Sequence, residues 1–65
     1  MIKVTRINKV EQIYLNEDQF ELMEETPDTV ITMQSGHKYI VMESAETVNN
    51  LIIEQKNKIF RFLDK

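Results

Sequence analysis

The stretch Glu24-Glu25-Thr26-Pro27-Asp28-Thr29-Val30-Ile31-Thr32-Met33-Gln34-Ser35-Gly36-His37-Lys38-Tyr39-Ile40-Val41-Met42-Glu43-Ser44 holds the chain's only proline and its only glycine. Each sits between runs that read as strands. Pro27-Asp28 suits the middle of a tight turn, with proline pre-setting φ at the second position and aspartate tolerating the third. Ser35-Gly36 marks a second turn, where glycine supplies the positive φ of a short hairpin. Between the turns, Thr29 to Met33 is rich in β-branched residues, and Tyr39 to Met42 follows the second turn in the same way. These features predict a β-hairpin.

Working outward toward the N-terminus, Phe20 to Glu25 contains good helix formers, yet Phe20 and Leu22 alternate with Glu21 and Pro27 soon stops any helix. A strand is the better reading. Upstream, Asn16 precedes Glu17-Asp18-Gln19 as an N-cap precedes a single helical turn. Gln12 to Leu15 reads as a strand. So does Ile2 to Ile7, where Ile2 and Val4 alternate with Lys3 and Thr5. Asn8-Lys9-Val10 is the turn between them, with asparagine as the residue that tolerates the left-handed region. The expectation is an antiparallel meander of about five strands over residues 2 to 42.

Beyond the hairpin, Ser44 is a good N-cap and Glu46 suits the positive end of a helix dipole. Val48, Ile52, Ile59 and Leu63, joined by Leu51 and Phe62, then recur on one helical face to residue 63. The fold class is therefore α+β: a small antiparallel sheet with one C-terminal amphipathic helix over about residues 45 to 63. Ile53 and Phe60 are left over. They stack seven residues apart, about 80 to 120° from the centre of that apolar face. They read either as a shoulder of the core or as a strip for self-association or partner contact.

Length and composition set limits on all of this. A chain of 65 residues is one domain near the lower limit for folding without a staple, and it has no cysteine to supply one. Such domains often complete their core by self-association, which makes a homo-oligomer the expectation. The longest apolar runs are too short to span a membrane, and Met1 to Arg6 lacks the apolar core of a secretory signal. A cytoplasmic location is expected. Net charge is −3, with seven acids and no base between Glu11 and Asp28, and basic Lys56, Lys58, Arg61 and Lys65 near the end. That pattern describes solvated faces, or a polarised molecule that steers a charged partner.

No chemistry announces itself. His37 is the only histidine and stands beside a turn, so no transition-metal site is expected. Glu24 and Glu25 point to opposite faces of a strand, which argues against a shared acid-base role. Ser35 and Ser44 are explained by a turn and a cap, and a single glycine cannot build a phosphate loop. No catalytic, cofactor-binding or metal-binding residue is expected, and no enzyme. Tyr14 and Tyr39 could stack on bases beside the basic helix, but the acidic balance opposes phosphate binding.

Several stretches do resemble a known family. Met1-Ile2, Val4-Thr5-Arg6-Ile7-Asn8, Tyr14-Leu15-Asn16, Glu24 to Thr32, Gly36, Lys38-Tyr39, Val41 and Glu43-Ser44 resemble the FlbD family of flagellar proteins, also called swarming motility (SwrD-like) proteins. Thr26-Pro27-Asp28-Thr29-Val30-Ile31-Thr32 is the most specific part. Lys9 and Ser35 depart from the glycine and asparagine common there, and the tail from Gln55 matches no pattern. The resemblance implies a small cytoplasmic bacterial protein that supports flagellar motor function or swarming, with no catalytic residues and no cofactor. A flagellar accessory protein acting through protein contacts is thus the leading reading. A small nucleic-acid-binding regulator using the basic C-terminal helix is the alternative.

Overall fold

The computed structural model describes the backbone of residues 1–8 and 10–63, with side chains through residue 58. Among these residues there are five strands, one 3-10 turn and one α-helix: β1 (Ile2–Thr5), β2 (Gln12–Leu15), the turn Glu17–Gln19, β3 (Phe20–Glu25), β4 (Thr29–Met33), β5 (Lys38–Val41) and α1 (Ala45–Leu63). The order and the α+β class match the reading from sequence, including the strand at residues 20 to 25. The strands divide into two antiparallel sheets, β1-β2 and β3-β4-β5. β1 stops at Thr5 because Arg6 leaves β2 and bridges to Val41 instead. The Ile7 N–H donates to the Ile40 carbonyl at 3.0 Å, and the Met42 N–H donates to the Thr5 carbonyl at 2.8 Å. These bonds join the sheets edge to edge, so the spatial order is β2-β1-β5-β4-β3.

Register decides which side chains share a face. Met23, Ile31 and Tyr39 form one cross-strand row, and Glu24, Val30 and Ile40 form the next, on the opposite face. The Met23 side looks inward. Ile31 and Val41 join Ile2, Val4, Leu15 and Val48 in a single buried cluster, so both sheets and α1 contribute to one core. Val48, Leu51 and Ile52 supply the helix's contacts to the core, as the helical spacing predicts, and Ala45 and Gln55 are half-buried beside them. Ile59, Phe60, Phe62 and Leu63 have side chains outside the described residues.

The turns carry the local detail. Gly36 has φ +94°, and its N–H donates to the Met33 carbonyl at 2.9 Å, the positive-φ turn expected there. Asn16 caps the 3-10 turn by accepting from the Asp18 N–H at 3.1 Å. The β3–β4 loop differs in detail from expectation. Pro27 and Asp28 separate the strands, but the loop is closed by the Thr26 N–H donating to the Asp28 carbonyl at 3.3 Å, and the Thr26–Pro27 peptide is cis. The β1–β2 turn is a second correction. Val10, not Asn8, takes positive φ at +48° just before β2, where the Arg6 N–H donates to the Glu11 carbonyl.

Candidate functional site

Three open grooves mark the surface of the described residues, and none of the three is enclosed. The largest, about 240 Å³, lies at the end of the hairpin and the start of α1, and includes Ile7, Glu25, Pro27, Asp28, Met42 and Ser44 in its lining. Its walls are held by polar contacts. The Ser44 hydroxyl accepts from the Thr47 N–H at 3.1 Å, which makes it the helix N-cap as expected. Glu25 Oε1 accepts from the Ala45 N–H at 2.7 Å, placing a carboxylate at the positive end of the helix. Glu43 ties the two sheets together: its carboxylate accepts from the Thr5 N–H and the Thr5 hydroxyl, both at 2.9 Å. These carboxylates are structural links. Glu24 lies on the opposite face of β3 from Glu25.

A second groove, about 150 Å³, is lined by Arg6, Asn8, Lys38, Tyr39 and Ile40. The Arg6 guanidinium lies 5.5 Å from the Tyr39 ring centroid, and the His37 ring stacks with Tyr39 at a centroid distance of 6.1 Å. Arg6 also pairs with Glu11 at 2.8 Å. Tyr39 is thus half-buried among its neighbours. Tyr14 is exposed on the other sheet, with the Lys3 ammonium 6.0 Å from its ring. The two tyrosines occupy separate hairpins and Arg6 already has a carboxylate, so the nucleic-acid alternative draws no support from this arrangement.

The third groove, about 180 Å³, runs between β1, β2 and α1 and is lined in part by Ile2, Tyr14, Leu51 and Lys58. Close to that end of the molecule, Glu17 meets the N-terminus. Its Oε1 accepts from the Met1 ammonium at 3.2 Å, while Oε2 stands 3.1 Å from the same nitrogen without hydrogen-bond geometry. Burial pushes the Glu17 carboxyl up. A hydrogen bond from its own backbone, the N-terminal ammonium and Lys56 outweigh that effect and hold it below the ordinary value of 4.5.

Of the leftover strip on α1, Ile53 is 48% exposed and flanked by exposed Asn49, Asn50, Lys56 and Asn57, while Phe60 lies outside the described side chains. Ile53 is not part of the core. A larger apolar surface, which the sequence reading missed, lies on the outer face of β3-β4-β5. It carries Leu22, Val30 and Ile40, and continues to Met42 two residues beyond Ile40. The signal was present as alternation: if Ile31 and Val41 face inward, Val30, Ile40 and Met42 must face outward. Among the described residues no group of three or more His, Asp or Glu is placed to hold a metal ion, and no described helix is long and apolar enough to cross a membrane.

No curated protein and no solved structure matches the chain. One family model does, that of the flagellar and swarming motility proteins named FlbD, over residues 1–60, further along α1 than the quoted motifs reach. With nearly the whole chain covered, it belongs to the FlbD family of flagellar and swarming motility proteins.

Proposed function

We propose that this protein is a non-enzymatic, cytoplasmic accessory of the flagellum that supports motor function or swarming through protein–protein contacts. One observation supports the reading best. The large apolar residues that the fold leaves exposed stand on open faces rather than around an enclosed cavity. Open apolar faces fit the surface of another protein; a small-molecule site is concave and buries its ligand. Membership of a motility family supplies the setting, and a flagellar protein is the partner this reading requires. The α1 strip of Ile53, with Phe60 one heptad on, is the proposed partner surface.

The test is capture from flagellated cells after chemical cross-linking, comparing the wild-type chain with Ile53→Lys. The expected result is a flagellar protein retained by the wild type and lost with the variant. Equal recovery by both proteins would remove Ile53 from the contact. Capture of no flagellar protein by either would overturn the reading.

A further inference from the structure

We propose that a second copy of this chain docks on the outer face of the β3-β4-β5 sheet, forming a two-fold dimer by stacking sheet on sheet. The self-association is part of the protein-contact reading above, but the surface is a different one from the α1 strip. An antiparallel sheet with one face on the core ordinarily alternates apolar inward and polar outward. This sheet breaks that rule. Its outward positions are Leu22 and Glu24 on β3, Val30 and Thr32 on β4, and Lys38 and Ile40 on β5, with Met42 just beyond. Leu22 is 43% exposed, Ile40 38% and Met42 58%, so three of the seven exposed large apolar residues among those described fall on one face. The helix cannot cover them, because α1 packs against the core side through Val48.

Charge indicates which protein fits. Glu24 lies on β3, at one edge of the face, and Lys38 lies on β5, at the other, with the apolar residues between them. Neither has a charged partner within its own chain among the described residues. A two-fold axis between the stacked sheets, crossing β4 obliquely and perpendicular to the line from Glu24 to Lys38, lays β3 of one copy over β5 of the other. It therefore brings each Glu24 toward the Lys38 side of the second copy, and does so twice. The face is complementary to itself in both charge and apolarity. A partner with a uniformly charged surface would leave one of the two charges opposed. Three short strands give a small contact, so the dimer is weak and depends on concentration.

Sedimentation equilibrium of the full chain over roughly 10–500 μM tests this. The wild type is expected to rise from monomer toward dimer mass across that range. Ile40→Lys is expected to stay monomeric with a cooperative melt like that of the wild type. Glu24→Lys and Lys38→Glu are each expected to raise the dissociation constant by about tenfold or more, and the double reversal to recover most of it. Both charges are exposed, so these variants keep the test valid even if Ile40→Lys fails to fold. Ile53→Lys is expected to leave the dimer unchanged. A wild type that remains monomeric overturns the proposal. So does a dimer that Ile53→Lys dissociates while the sheet variants do not, and that outcome leaves the α1 strip as the self-association surface. Single reversals with no effect overturn it as well.

Discussion

Three single residues show how local chemistry sets the geometry of this fold. Gly36 stands at φ +94° with nothing within 4 Å of where a Cβ would be. Its conformation, not space, demands glycine. Gly36→Ala is expected to lower stability by about 1 kcal/mol, visible as a lower urea midpoint; an unchanged midpoint would mean the turn tolerates a side chain. Val10 is the reverse case. A β-branched residue at φ +48° is strained, and at 73% exposed its side chain gains little by burial. Val10→Asn is expected to raise the same midpoint, by about 1 kcal/mol. Glu17 links stability to pH. Its folded carboxyl is held below 4.5, so its stabilising contribution is present above the unfolded value and fades as pH falls through the folded one. Stability curves of the wild type and Glu17→Gln are therefore expected to differ at neutral pH and to converge as pH falls below the ordinary carboxylate range. A gap that is constant with pH would contradict the assignment.

At the scale of the elements, the start of α1 is the best defined junction. Ser44 caps it, Glu25 reaches across from β3 to the Ala45 N–H, and Glu43 holds Thr5 of β1. Ser44→Ala is expected to cost about 1 kcal/mol through loss of the cap. Glu43→Ala is expected to cost more, about 1–3 kcal/mol, because it leaves a part-buried donor on Thr5 without its acceptor. Thermal melts by circular dichroism rank the two, and a larger loss from Ser44→Ala would reverse the argument. The cap was legible in sequence because its partners are local. The Glu43 link was not, since it joins residues 38 positions apart that only the bridge from β1 to β5 brings together. The same long-range pairing explains why Arg6 and Ile7, apparent continuations of β1, belong to the seam between the sheets. Val10 escaped notice for a related reason. Residue preference pointed to Asn8, while closure of the loop by the Arg6–Glu11 bond placed the left-handed residue two positions later.

The whole molecule is a small core that leaves large apolar side chains exposed on more than one side among the described residues. Alternation and helical spacing were enough to read strands, helix and class, because each is a periodic local signal. Which strand neighbours which is set by tertiary packing, so the division into two sheets could not be read that way. Nor could the open outer face of β3-β4-β5, whose residues look like core until register assigns the opposite face to the core. The exposed face and the exposed Ile53 are the two sides on which the proposed protein contacts would be made. On the proposed function, these contacts, and not a chemical step, are how this FlbD-family protein serves motility. The most direct measurement is swarm expansion by cells that lack the native protein and carry the wild type, Ile53→Lys or Ile40→Lys at equal abundance. Full expansion is expected with the wild type, and loss of expansion with both folded surface variants. Full expansion with both variants would contradict it.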